Sequence, residues 1–437
     1  MCLFLSLVGS NMNIDTLQER LKYSNLFLTG GAGVGKTTLT NELIKSFESE
    51  GKKVAKLAST GMAATLLGGQ TLHSFFEFGI ASNLEELERD RKLTISKKLK
   101  RILHEIDLII IDEISMVSAD LLDMIRLRLL QADFSGRVMV VGDFLQLPPI
   151  TKGEVHFAFE SESWERFGFD KIELSKIYRT DDEEFIKLLH QVRFGDVDEE
   201  VHNALNAFIK PIPNDLREFT FLFGKNASVA FHNRVQLDFI DEELIVKEAE
   251  IVIQDKKSKS SEIERFFEDA RIDKALHLKV GAPVLFTRNS WNYYNGERGI
   301  VVKIEEEAVY VKKSGGTVVK LEKQKQSKTR WIQKEIDGKL EVVEEEIFSI
   351  YQYPIKLAFA ITIHKSQGMS LDDLIIESNE IFAPSQFYVA LSRAKNPSRL
   401  TLIAPKRQWS SIIYAHKKAK EFYMRKVFSN NSYKLVR

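Results

Sequence analysis

The stretch that most restricts the fold is FLTGGAGVGKTTLT, Phe27 to Thr40. An apolar run ends at Gly30, and Gly35, Lys36 and Thr37 complete the spacing G-x-x-x-x-G-K-[ST]. A helical pattern opens there, with Leu39, Leu43, Ile44 and Phe47 on one side. Such a loop joins a strand to a helix. The strand has no polar alternation, so both of its faces must be covered, as in parallel α/β sheets flanked by helices. Similar runs recur as KVAKLASTG, IDLIIIDE and RVMVVGD, then as FTFLFGKN, LIIES and LTLIAP. The two groups fall in separate halves of the chain, which predicts an α/β protein of two parallel-sheet lobes.

A chain of 437 residues exceeds one ordinary core, so two to four domains are expected. We place a first lobe at 1–180, with a small insertion near 75–100, and a second lobe at 181–275 plus 344–437. Between them, LKVGAPVLFTRNSWNYYNGERGIVVKIEEEAVYVKKSGGTVVKLE shows Gly-containing turns and alternating β-branched residues. That change of pattern predicts an inserted small antiparallel barrel at 276–343. The charge-rich stretches Asn83 to Lys100 and Lys247 to Asp273 read as solvated helices or loops.

Lys+Arg and Asp+Glu both total 62, so a polyanionic partner would have to meet a local basic surface rather than a global field. The single Cys2 excludes an intramolecular disulfide framework, and nine scattered His show no zinc spacing. A cytoplasmic protein is expected. The opening MCLFLSLVGSNMNID is too short to span a bilayer and lacks the basic segment of a secretory signal; Met12 is an alternative start. No membrane partner is expected, and a monomer in solution is.

In a phosphate loop the glycines let backbone N–H groups close round the phosphates, and the helix N-terminus adds its positive dipole. Lys36 would reach the β and γ phosphates of ATP, and Thr37 would supply a ligand to Mg²⁺. Gly30, Gly31, Ala32, Gly33, Val34, Gly35 and Thr38 complete the nucleotide-binding set. IDLIIIDE ends its buried strand in Asp112 and Glu113, so one carboxylate can hold Mg²⁺ while the next directs the attacking water. VVGDFLQLPPI places Gln146 after a third strand, where a neutral amide can sense the γ-phosphate, although Pro148 and Pro149 alone would account for a turn. Gln18, ahead of the first strand, could read the adenine edge or simply be a solvated helix residue.

GGAGVGKT, LASTGMAA, IIIDEISMVSADLLDMIRLRL, GDFLQLPP, LSKIYRT, AITIHKSQGMSLD and FYVALSRAK follow one another in the order of superfamily 1 helicases. The set, spanning Gln18 to Ala404, resembles the petite integration frequency (PIF) family, with RecD-like enzymes next nearest. One departure is DFSGRV, where the family signature carries a Phe-Gly-Gly turn after an arginine-bearing helix; Arg126 and Arg128 fit that helix. The resemblance implies two RecA-like lobes with ATP between them, an SH3-like insertion, and movement 5′ to 3′ along single-stranded DNA into tailed or forked duplex.

It also implies roles for particular residues. Arg179 and Arg393 resemble the arginines that contact the γ-phosphate, and Gly368 falls beside the nucleotide. Thr60, Gly61, His73, Thr362, His364, Lys365, Ser366 and Gln367 match DNA-facing positions that hold phosphates without reading sequence. Phe75, Phe76 and Phe144 could stack on bases, or belong to the core like most of the 29 phenylalanines. Nine Lys/Arg after Pro405, against only Glu421, form either a solvated helix face or an auxiliary DNA contact. The rival readings are a RecD-like or RNA-directed motor, and a P-loop switch that does not translocate.

Overall fold

The computed structural model describes residues 14–424, apart from 60–62, 65–66, 152, 214–215, 217–218, 257, 271, 289, 294–296, 314 and 337–338. Its first sheet has six strands: β1 (Leu26–Gly30), β2 (Val54–Ala58), β3 (Gln70–Thr71), β4 (Leu108–Asp112), β5 (Arg137–Val141) and β6 (Asp170–Leu174). They lie in the order β3-β2-β4-β5-β1-β6, and every pairing is parallel. The apolar runs are explained by coverage on both faces. Leu26, Leu28, Ile110 and Met139 pack on one side with Leu39, Leu43 and Ile44 of the helix Lys36–Ser49. Phe27, Ile109, Ile111 and Val140 point to the other side, where Leu121, Leu122 and Ile125 of the helix Ala119–Gln131 cover them.

The second sheet is also parallel. Its strands Ala360–Thr362, Thr220–Phe223, Leu374–Ile376 and Leu400–Leu402 lie in that order. Phe185, Leu188, Leu189 and Val192 of the helix Glu183–Phe194 share its core with Leu222, Leu374 and Phe387.

The β region inserted between Thr220–Phe223 and Ala360–Thr362 of this sheet is larger than the sequence suggests, running from Ile245 to Leu357. Five antiparallel strands order as Val318–Leu321, Val309–Lys313, Arg298–Ile304, Pro283–Phe286 and Ile355–Leu357, around Val284, Val301, Val309 and Tyr353. A long hairpin, Gln324–Ile336 with Lys339–Gln352, carries Glu250–Ile253 on its flank. The stretch Lys247 to Asp273 is therefore not merely solvated. Its helix Ser260–Ala270 buries Ile263, Phe266 and Phe267 at helical spacing against Phe348 and Ile350.

Two segments cross from the second half of the chain onto the first lobe. Near the hairpin tip, Val342 is buried in the first-lobe core with Trp331 packed beside it. Lys53 Nζ donates to the Val342 carbonyl at 3.1 Å, and Arg101 donates to Gln333 Oε1 at 2.7 Å. The second segment is the helix Lys417–Met424, whose Ala419, Phe422 and Tyr423 join Phe27, Phe144 and Trp164. This corrects the expectation that residues 344–437 belong wholly to the second lobe. The basic residues of that helix are engaged: Lys418 pairs with Glu154 and Glu160, and Lys420 with Asp196. No helix among the described residues is long and apolar enough to cross a membrane.

Candidate active site between the lobes

Strands β4, β5 and β1 are neighbours, so their carboxyl ends place IIIDE, GD and the glycine loop side by side. Gly30 has φ +138, and a Cβ there would lie 2.3 Å from the Leu174 carbonyl oxygen of β6. Gly35, with φ +86, turns the loop into the N-terminus of the helix Lys36–Ser49. Lys36 Nζ donates to the carbonyls of Gly30 at 2.7 Å and Gly31 at 2.8 Å. Desolvation lowers its pKa, against the pull of the Asp143, Glu113 and Asp112 carboxylates. Thr37 and Thr38 stand exposed on the first helical turn, where N–H groups and dipole suit an anion.

Asp112 closes β4, and its Oδ1 accepts from the Glu113 N–H at 2.8 Å. Glu113 has φ +53, a left-handed conformation that non-glycine residues seldom adopt and that recurs at functional sites. Burial raises the pKa of both carboxyls, and the Asp112 charge adds to the effect on Glu113, which reaches about 7. Gln367 Nε2 of the second lobe donates to Glu113 Oε2 at 3.0 Å. After β5, Gly142 has φ +150 and a Cβ there would come within 2.9 Å of the Ile114 nitrogen. Gln146 follows on this turn, buried, with its N–H on the Asp143 carbonyl at 2.8 Å.

Two buried arginines, Arg393 and Arg193, and the half-buried Arg179 face these groups. Arg393 keeps its guanidinium within its own lobe, donating to Val389 O at 2.9 Å, Ser392 Oγ at 2.9 Å and Ser366 O at 3.3 Å. Arg179 donates to Ser370 Oγ at 2.9 Å and to Ser392 O, while its Cβ lies 2.8 Å from where a Gly33 Cβ would stand. Burial pulls both down, Arg393 to about 10 and Arg179 to about 9. Arg193, which the sequence reading missed, crosses the cleft to the first lobe. Its Nε and Nη2 bind Asp143 at 3.0 and 2.9 Å; burial alone would lower its pKa, but the charge and hydrogen bonds of Asp143, with Tyr388 and Tyr423, together raise it.

Two tyrosines strengthen the crossing. Tyr388 OH accepts from the Ala32 N–H at 2.8 Å, and a Cβ on Gly31 would lie 3.2 Å from that oxygen. Tyr423 OH is 2.7 Å from Thr29 Oγ1 and accepts from the Phe144 N–H at 3.2 Å. The sequence offered little signal for these residues. Arg193 merely adjoins the apolar stripe of its helix, and Tyr423 lies in a tail read as basic.

A family model described as PIF1-like helicase matches residues 13–203. The ATP-dependent DNA helicase Pif1 of Campylobacter jejuni is 38% identical over 442 residues, covering 95% of this chain and 97% of that protein. The chain belongs to the PIF1-like helicase family. Among solved structures, Bacteroides sp. Pif1 in complex with ADP-AlF4 superposes with a TM-score of 0.80 at 32% identity, over 94% of this chain and 95% of that one. Bacteroides Pif1 bound to single-stranded DNA has the same identity and coverage but a TM-score of 0.63. The two parallel sheets are thus the RecA-like lobes of a PIF1-like helicase, and the enzyme class is ATP-dependent DNA helicase.

Several predicted residues stand elsewhere in this PIF1-like helicase than the sequence reading put them. Gln18 donates to Ser46 Oγ and Glu50 Oε1, both at 3.0 Å, near the far end of the phosphate-loop helix. Ser46 lies ten residues beyond Lys36, about 15 Å along the axis, so Gln18 does not face the phosphate loop. Phe75, Phe76 and Phe144 are core residues, 5%, 0% and 0% exposed, and none offers a ring face to a base. Their apolar area gains more from packing than from a solvent-facing groove. Ser366 is fully buried and donates to Ile363 O at 2.7 Å, and the Thr362 hydroxyl accepts from the Lys365 N–H at 3.2 Å. Both hydroxyls shape the loop rather than project from it.

Lys365 and Gly368 are exposed on that loop, with Gly368 at φ +79, and His364 is half-buried. His73 sits on the short helix Leu72–Phe75, edge-on to Phe78, and burial lowers its pKa. Thr60 and Gly61 lie outside the described residues.

Proposed function

We propose that this ATP-dependent DNA helicase binds Mg-ATP between its lobes, moves 5′ to 3′ on single-stranded DNA and opens tailed or forked duplex. The observation that carries the reading is the convergence of Lys36, after β1, with Asp112 and Glu113, at the end of β4, on either side of β5, with Arg179, Arg193 and Arg393 facing them. Thr37 and Asp112 would hold Mg²⁺ together with phosphate oxygens, an all-oxygen set suited to a hard cation. The bound ion would neutralise charge on the β and γ phosphates. Lys36 and the loop N–H groups hold the phosphates, Glu113 orients and deprotonates the attacking water, and Gln146 registers the γ-phosphate. Arg179 and Arg393 stabilise the transferred phosphoryl, a contribution of about 10³ to 10⁵ in rate for such arginines.

Coupling to DNA follows from the same cleft. The HKSQG loop bears Lys365 outward and Gln367 on Glu113, so one short segment touches both the surface and the hydrolytic carboxylate. We read the five-stranded β region as the SH3-like insertion, and the exposed Lys365 with His73 and His364 as phosphate contacts of the strand. The test is strand separation with 5′-tailed and 3′-tailed duplexes, run beside ATP turnover with and without single-stranded DNA. Opening of the 5′-tailed duplex with strongly stimulated turnover is expected. Turnover indifferent to single strands, or opening only of the 3′-tailed duplex, would sink the reading.

A further inference from the structure

One short loop restrains two groups that hydrolysis requires. Residues 364–368 leave the second sheet after Ile363, fully buried, and return to the core at Met369, 4% exposed. Between these anchors lies a single 3₁₀ turn, His364–Ser366, followed by Gln367 and by Gly368 in the left-handed region. On one side Gln367, 6% exposed, donates its amide to Glu113 Oε2. On the other, the carbonyls of Ser366 and Met369 accept from Arg393 Nη1 at 3.3 and 3.4 Å. Both hydrogen bonds to Arg393 are long, and the Gln367 N–H reaches His364 O only at 3.3 Å. Ser366 is tied to Ile363 O by its hydroxyl at 2.7 Å and to the Met369 N–H at 2.9 Å, so the weakest contacts of the turn are those around Gln367.

We propose that Gln367 is a positioning residue that holds Glu113 away from its water-activating pose until a DNA strand on the HKSQG loop shifts the turn and breaks the contact. A carboxylate oxygen that accepts from an amide is less able to accept from water, and its direction is set by the second lobe. The exposed Lys365, two residues before Gln367, is the group through which a phosphate would pull on the turn. A shift of about 1 Å suffices, because a hydrogen bond of this kind is lost beyond about 3.5 Å. The same shift would loosen the long Ser366 carbonyl contact to Arg393 Nη1, while the arginine keeps its bonds to Val389 O and Ser392 Oγ. DNA stimulation is then relief of a restraint as well as closure of a cleft.

This inference rests on the proposed strand-stimulated turnover, and the two are tested separately on the same preparations. Gln367→Ala and the nearly isosteric Gln367→Met both remove the amide. Each is assayed for steady-state ATP turnover with and without a single-stranded oligonucleotide, with strand affinity measured by fluorescence anisotropy and fold by circular dichroism. DNA-free turnover is expected to rise by about 5- to 10-fold, the scale of one ordinary hydrogen bond, and the stimulation ratio to fall in step. A residue of merely structural importance would lower turnover in both conditions. DNA-free turnover at or below that of the parent in either folded variant overturns the proposal. If packing defects unfold the Ala variant, the Met variant decides alone. A parent enzyme that single strands do not stimulate overturns the functional reading and this inference with it.

Discussion

Glu113 is the residue on which the proposed hydrolysis hinges. Its left-handed backbone, its Gln367 contact and its raised pKa all come from standing just past the end of a buried strand. Glu113→Gln preserves the shape but cannot take a proton, so kcat should fall by about 10²- to 10⁴-fold while nucleotide binding persists. Single-turnover kinetics beside a nucleotide-binding titration checks this; residual turnover within a few-fold of the parent would remove Glu113 from the chemistry. Arg393→Ala should lower kcat by about 10³-fold or more with only modest change in strand affinity, and near-normal turnover would exclude it from the site. The phosphate loop and the acidic pair were legible because their spacing is local and chemically demanding. Gln18 was not, because an isolated amide near a strand carries no information about which end of the neighbouring helix it meets.

At the level of elements, Arg128 shows how a family signature can serve folding. It is 2% exposed and lies on the helix Ala119–Gln131. Its guanidinium donates to the carbonyls of Phe76 at 3.1 Å and Leu93 at 2.8 Å, and to that of Lys92, across the face of Phe78. One side chain thus gathers both ends of the insertion near residues 75–100. Arg128→Met would fill similar space but take this donor from the Phe76 and Lys92 carbonyls, leaving Leu93 O only the Gln131 amide, and stability should fall by about 2 to 4 kcal/mol in denaturant unfolding. A change under about 0.5 kcal/mol would mean the carbonyls find other donors. Strands with unbroken apolar runs were readable from sequence, whereas Glu250–Ile253 was not. All four of its residues are exposed, so it is a strand only because the distant hairpin supplies backbone partners.

For the molecule as a whole, the lobes are joined by more than the nucleotide cleft. Arg193→Gln would leave Asp143 buried without its counter-charge, at a cost of about 3 to 5 kcal/mol in the unfolding transition. Adding Asp143→Asn should restore a substantial part of that loss; if the double variant is no more stable than Arg193→Gln, the pair is not the source. The hairpin makes the second bridge. Val342→Asp would force a charge into the first-lobe core beside Trp331, and the strands near the tip should lift from the helix Lys97–Glu105. Hydrogen exchange should then speed up in that helix and around Lys53, while unchanged protection would show that the hairpin docks by other contacts.

The sequence by itself determined the local chemistry: a phosphate loop between a doubly covered strand and a helix, the carboxylates that follow the fourth strand, and two lobes of parallel sheet. These follow from period, spacing and side-chain type within a few neighbouring residues. Only the tertiary structure decided which distant groups meet that chemistry. Arg193 on Asp143, Tyr388 on Ala32, Tyr423 on Thr29 and Gln367 on Glu113 each join positions 50 to 394 residues apart. Such pairings depend on how two cores and one hairpin pack in three dimensions, and no periodicity along the chain records that.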